Sequence, residues 1–166
     1  MTYWITISIC IVLLVIIFQD LKSRAISIWV FPVFLIVTGT WFYQEFRDWQ
    51  TLVLNIGFIS LLMVGLVIYV SIRNRQFTNI LKDWFGLGDV LFLFLMSPLF
   101  SSRNLVLFII LGMLFSLAIH LIIKQFVKDN SYSLTIPLAG YLSIVLTGLF
   151  ITNLFTSINL FYFDLI

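Results

Sequence analysis

The chain has 166 residues, of which 62% are hydrophobic and only 10% charged, and its mean hydropathy is +1.16. A soluble domain of this length would carry roughly a quarter of charged residues to cover its surface, so lipid must solvate most of this one. The net charge of +2, without a basic arm, argues against nucleic-acid binding. Cys10 is the only cysteine, which excludes an intramolecular disulfide and a cysteine zinc cluster. We therefore expect neither a metal nor a cofactor.

Six apolar runs follow one another along the chain. In lipid every backbone polar group needs an internal partner, so each run is predicted to be a helix. We expect an all-α, polytopic membrane protein, a bundle of six transmembrane helices in one domain over residues 1–166. The apolar tail from residue 153 onward is interrupted by polar side chains and is predicted to lie at the interface. The runs are Tyr3–Phe18, Ile28–Tyr43, Leu52–Ile72, Leu87–Phe100, Leu105–Ile123 and Leu134–Phe155.

The basic residues predict the orientation of the bundle. Seven of the nine follow the first, third and fifth runs, whereas Arg47 and Arg103 lie on the other side. Because cytoplasmic loops carry the excess of lysine and arginine, the side with seven is predicted to be cytoplasmic and the N-terminus to lie outside. We expect a multi-pass protein of the inner, cytoplasmic membrane. The seven residues are Lys22, Arg24, Arg73, Arg75, Lys82, Lys124 and Lys128.

Two acidic residues lie at the ends of predicted spans rather than in loops. Asp20 ends the first span, and Asp89 begins the fourth within the sequence Gly86-Leu87-Gly88-Asp89. A carboxylate at membrane depth is costly and usually faces the interior of a bundle or a cavity. Both positions belong to the cytoplasmic ends of their spans, so the topology predicts that they lie at the same depth.

Two neighbouring carboxyls can hydrolyse a peptide bond through an activated water. They cannot both ionise easily, so they share one proton and divide into a base and an acid. Gly86 and Gly88 would let the backbone leave helical geometry beside an extended substrate. Simpler interpretations stand beside this one. Asp89 could cap its own helix, and Asp20 could balance nearby basic charge.

At these residues the chain resembles the prepilin and preflagellin peptidases, membrane aspartyl proteases with a Gly-x-Gly-Asp motif. Three stretches carry the resemblance: Asp20–Trp29, Gly86–Val90, and Ile136–Gly140 with its proline. The resemblance implies that the two aspartates are catalytic. It also implies motif or substrate-binding roles for Gly86, Gly88, Lys22, Arg24 and Pro137.

The chain departs from the family pattern at three positions. Ser27 and Ile28 stand where the family usually has Pro-Asn, and Leu91 stands where it often has lysine. The cytoplasmic insertion with paired Cys-x-x-Cys motifs, which the methylating members carry, is absent. The resemblance is therefore to a form with peptidase activity alone.

The resemblance implies an endopeptidase that removes the basic leader of pilin-like or flagellin-like precursors at the cytoplasmic membrane face. Its partners would be that precursor and the lipid bilayer, without a cofactor. The presenilin and signal-peptide-peptidase type of protease shares Gly-x-Gly-Asp and is an alternative. A non-catalytic scaffold or a proton-coupled transporter is another, because paired intramembrane acids also serve proton relays.

The orientation gives a testable prediction. Cysteines placed singly at Lys22, Arg75 and Lys128 should resist an impermeant thiol reagent in intact cells, because all three loops are predicted to be cytoplasmic. The measurement is labelling before and after the membrane is permeabilised. Efficient labelling of any of the three in intact cells would overturn the orientation.

Overall fold

The computed structural model describes residues 3–45, 48–74, 86–126, 137–155 and 161. Their regular structure is helical throughout, with six α-helices and one short 3₁₀ turn. Each helix coincides with one of the six predicted apolar runs, which confirms the all-α class. The helices are α1 (Tyr3–Ser23), α2 (Val30–Glu45), α3 (Trp49–Asn74), α4 (Leu87–Met96), α5 (Ser102–Phe126) and α6 (Leu138–Phe155), with the 3₁₀ turn at Ser97–Leu99.

Four of the helices, α1, α3, α5 and α6, are long and apolar enough to cross a membrane. The other two are shorter, since α2 has 16 residues and α4 has 10 before its 3₁₀ extension. The chain thus has the helices of a membrane protein, while the count of six spans and the outward N-terminus remain predictions. Residues Arg75 and Lys128 of the labelling experiment lie outside the described residues.

A buried asparagine binds backbone carbonyl oxygens in the segment that follows the early end of α4. Pro98 lies in the 3₁₀ turn that follows, where the α-helical hydrogen-bond ladder is interrupted. Asn55 of α3 donates through Nδ2 to the carbonyl oxygens of Ser97 (3.0 Å) and Phe100 (2.8 Å). A free carbonyl inside a bilayer would be costly, so this side chain allows the helix to end within the bundle.

The centre of the bundle is α6. Half of its apolar stretch is buried, compared with 11% of that of α3, so α6 is enclosed by protein while α3 lies at the periphery. Its partner along most of its length is α1. Both helices contribute fully buried side chains to one continuous core: Ile9, Leu13, Ile16, Leu142, Leu146 and Phe150.

Phe161, which follows α6 in the sequence, is fully buried. Its ring lies 4.4 Å from that of Phe150 and 5.9 Å from that of Trp41, measured between centroids. Its carbonyl oxygen accepts the Ser101 N–H (3.1 Å) and the Asn104 side-chain amide (3.0 Å). At this residue the tail packs against the bundle, while its interfacial depth remains a prediction.

Helix α3 begins at a side-chain cap. The Asp48 carboxylate accepts the Thr51 hydroxyl (2.6 Å) and the Gln50 N–H (3.1 Å). The Thr51 hydrogen bond holds the pKa of Asp48 below its usual range. An aspartate before the first helical residue is a favourable N-cap, and it fixes where α3 starts.

The buried ring of Phe161 predicts a loss of stability on truncation. Phe161→Ala should lower the free energy of unfolding of the solubilised protein by about 3 kcal/mol, because the aromatic pocket would be left empty. Phe155→Ala is the matched control, since that ring is 86% exposed, and should cost less than about 0.5 kcal/mol. Equal melting temperatures for the two variants would contradict the docking of Phe161.

Candidate active site

The site begins with the N-terminus of α6, whose first amides need acceptors. The helix starts after Pro137, whose carbonyl oxygen accepts the Tyr141 N–H (3.2 Å). The first amides of any helix lack partners within it, and a Ser, Thr, Asp or Asn at the cap normally accepts one of them. Proline has no polar side chain, so acceptors must come from elsewhere in the bundle.

Both candidate aspartates supply them. The Ala139 N–H donates to Oδ1 of Asp89 (2.8 Å), and the Gly140 N–H donates to Oδ2 of Asp20 (2.6 Å). Because the two donors are consecutive residues, about 3.8 Å apart along the backbone, these oxygens lie within roughly 9 Å of each other. The two carboxylates are also close enough to interact electrostatically. The structure thus brings Asp20 and Asp89 together at one helix end, where the dipole favours negative charge.

Asp20 lies in the last turn of α1 and is buried, only 5% exposed. A loop charge that merely balances its basic neighbours would face solvent, so that simpler interpretation does not describe it. The helix ends just beyond, where Arg24 adopts a left-handed backbone (φ 52°) and donates its N–H to the Asp20 carbonyl oxygen (2.9 Å). A non-glycine residue there costs on the order of 1 kcal/mol or more.

The two basic residues near Asp20 differ in position. The positive charge of Arg24 interacts with the Asp20 carboxylate. Lys22 is exposed and its Nζ lies 5.3 Å from the centre of the Phe18 ring, a cation–π contact on the outside of α1. Of the two basic motif residues, Arg24 therefore interacts with the Asp20 carboxylate, and Lys22 lies against the Phe18 ring.

Asp89 lies in the first turn of α4. Gly86 precedes the helix in an extended conformation (φ −63°, ψ 136°), and its carbonyl oxygen accepts the Asp89 N–H (3.0 Å). No side chain caps α4 at this position. The Asp89 carboxylate accepts the Ala139 N–H of α6 and also lies close to the Gly86 backbone at the start of its own helix.

Two glycines leave room for the carboxylates. A Cβ atom on Gly140 would lie 3.0 Å from Oδ2 of Asp20 and 3.3 Å from its Cβ, and one on Gly86 would lie 3.2 Å from Oδ2 of Asp89. These distances are shorter than ordinary carbon contacts. Gly88 differs, because its missing side chain would face Ile26 (3.4 Å) and Phe31 (3.7 Å). Gly88 therefore lies next to the segment between α1 and α2.

Each carboxylate uses one of its oxygens to accept an amide hydrogen of α6. The other oxygens, Oδ1 of Asp20 and Oδ2 of Asp89, do not accept the amides of Ala139 and Gly140. The described residues contain no group of three or more potential metal ligands. The chemistry that this pair supports is general acid and base catalysis.

The amides of Ala139 and Gly140 are the contribution that the sequence did not predict. The resemblance implied a role for Pro137, which is buried at the start of α6. Proline has no N–H and no polar side chain, so it cannot donate a hydrogen bond to either carboxylate. The sequence nevertheless contained one indication of this contact, the glycine at position 140. Glycine in the first turn of a helix costs stability relative to alanine, and such a glycine often marks a close approach.

The described chain is thus a polytopic α-helical protein with a pair of carboxylates at one end of its bundle. It belongs to the type IV leader peptidase family, whose profile matches residues 7–121. This range contains both aspartates and ends before α6. No curated protein and no solved structure gave a match. Family membership makes the chain a peptidase of the leader-peptidase kind, with a protein as its substrate.

The tight contact at Gly140 predicts a loss of activity. Gly140→Ala should reduce peptidase activity by tenfold or more, on the order of 1.4 kcal/mol in the barrier, because its methyl group would displace the Asp20 carboxylate. The matched control on the same helix is Gly148→Ala, which has open space around it and should remain active. Peptide cleavage by the two purified variants is the measurement. Equal activities would show that the approach of Gly140 to Asp20 is unimportant.

Proposed function

We propose that this protein is a membrane-embedded aspartic endopeptidase that removes the basic leader of type IV pilin-like or flagellin-like precursors at the cytoplasmic membrane face. Asp20 and Asp89 are its catalytic residues. The observation that carries the proposal is that consecutive amides of α6 bind one oxygen of each carboxylate. Family membership favours this function over a proton-coupled transporter.

The surroundings of the two carboxyls suggest their roles. We assign the role of base to Asp20, whose carboxyl lies near the positive charge of Arg24. Asp89 carries the shared proton and is the acid. Asp20 takes a proton from water as its oxygen attacks the scissile carbonyl carbon, while Asp89 donates its proton to the carbonyl oxygen.

The second step reverses these proton transfers. The tetrahedral intermediate collapses when Asp89 recovers a proton from one of its hydroxyls. The carbon–nitrogen bond breaks, and Asp20 gives its proton to the departing amine. The leader leaves with a new carboxyl group, the mature protein leaves with a new amino terminus, and the dyad regains its starting protonation.

The location of the dyad fits a substrate with a hydrophobic helix. Asp20 lies three residues before the end of α1 at Ser23, so its carboxyl is at the end of a helix long enough to span the bilayer. A precursor whose apolar helix is embedded in the same bilayer would present the peptide bonds just beyond its helix at this depth. The family resemblance supplies the remaining features, a short basic leader and a small residue at the cleavage site.

The dyad can be tested without disturbing the start of α6. In Asp20→Asn and Asp89→Asn the side-chain oxygen still accepts an amide hydrogen, so both variants should remain folded. Each should lose at least about 10³-fold in cleavage of a synthetic precursor with a lysine-rich leader, a glycine and an apolar helix. The double variant should be no worse, because the residues act as one unit.

Cleavage in lipid vesicles and the melting temperature are measured together. Asp20→Leu serves as a structural comparison, because it also removes the acceptor and should lower the melting temperature where Asp20→Asn does not. Substantial cleavage by either asparagine variant would refute the catalytic assignment.

A further inference from the structure

The residue next to the dyad, Gln19, holds the segment that joins α1 to α2. This α1–α2 turn comprises residues 24–29. Oε1 of Gln19 accepts the backbone N–H of Ser27 at 2.8 Å, across eight positions of sequence. The turn is mostly exposed and contains no regular helix or strand, so this hydrogen bond is a tertiary restraint on its path.

The restrained turn touches the other half of the dyad. Ile26, adjacent to Ser27, is half-buried and lies next to Gly88, since a Cβ atom on Gly88 would be in van der Waals contact with its Cδ1, at 3.4 Å. Gly88 directly precedes Asp89. A continuous path of contacts therefore runs from α1 beside Asp20, through the turn, to α4 beside Asp89.

We propose that Gln19 is a positioning residue of the dyad. By holding the Ser27 amide it keeps Ile26 against Gly88, and so fixes the start of α4 relative to the end of α1. This inference rests on the proposed function, and it assigns to Gln19 a role that is separate from proton transfer. Gln19 contacts neither carboxyl through this hydrogen bond and acts through the turn.

The chemistry of position 27 explains why the restraint is needed. A proline there would fix its own φ angle and remove the donor. With Ser27 the backbone keeps its freedom and its N–H requires an acceptor. The nearby Ser23 hydroxyl donates to the carbonyl oxygens of Gln19 (2.7 Å) and Ala25 (3.1 Å), whereas the Ser27 N–H donates to Gln19.

Activity tests the role through a rescue. Gln19→Met preserves length but removes the acceptor, and should lower kcat about three- to tenfold, the effect of one hydrogen bond, with KM unchanged. Adding Ser27→Pro should restore kcat, because proline has no N–H that needs an acceptor and its ring fixes the φ angle of residue 27. Gln50→Met is the matched control, since Gln50 is exposed at the start of α3, and should behave as wild type. The substrate is the synthetic precursor described above.

A distance measurement tests the same inference without catalysis. Spin labels at Trp29 and Leu87, both exposed, report the distance between the turn and the start of α4 in a Cys10→Ser background. Gln19→Met should broaden the distance distribution. Gln19→Glu, which keeps an acceptor, should leave it narrow, and this comparison holds even if proline at position 27 prevents folding.

The outcomes separate the two proposals. Wild-type kcat and a narrow distribution in Gln19→Met would overturn the positioning role. So would a loss of kcat accompanied by an unchanged distribution, because Gln19 would then act by another route. Failure of the unmodified protein to cleave the precursor would overturn the proposed function alone, and the spin-label distances would still decide the role of Gln19.

Discussion

The structure depends on how the first amides of α6 are satisfied. A backbone N–H without a partner inside a bundle costs several kcal/mol, and Pro137 at the helix cap provides no side-chain acceptor. The carboxylates of Asp20 and Asp89 accept these hydrogens from two other helices. The groups proposed to carry out catalysis therefore also stabilise the start of the central helix, and the helix end in turn sets their spacing.

The position of α6 explains how three helices produce one site. It is buried along half of its apolar stretch and packs closely against α1. At its opposite end, Phe150 is held by Trp41 and by the docked ring of Phe161. The helices that carry Asp20 and Asp89 need not contact each other directly, because each aspartate is hydrogen-bonded to the N-terminus of α6. The contact of Ile26 with Gly88 adds a second connection between them.

Much of the fold and half of the site could be predicted from the sequence. Apolar runs predicted all six helices of the described residues, and topology alone predicted that Asp20 and Asp89 would lie at the same depth. The amides that hold them are 120 and 50 residues away in sequence, and no local pattern identifies such partners, because they depend on how α6 packs. The cap that Asp48 provides for α3 was not predicted, although its spacing to Thr51 is a local signal.

The most direct test of this account is the amide resonance of Gly140. The chain contains a single Ala-Gly pair, so carbonyl-¹³C alanine combined with ¹⁵N-glycine isolates that one signal in the solubilised protein. Asp20→Asn should move it strongly, because a charged acceptor is replaced by a neutral one. The ¹⁵N-alanine signal of Ala139 should respond in the same way to Asp89→Asn. Signals that remain where they are in both variants would contradict the arrangement of two carboxylates on one helix end.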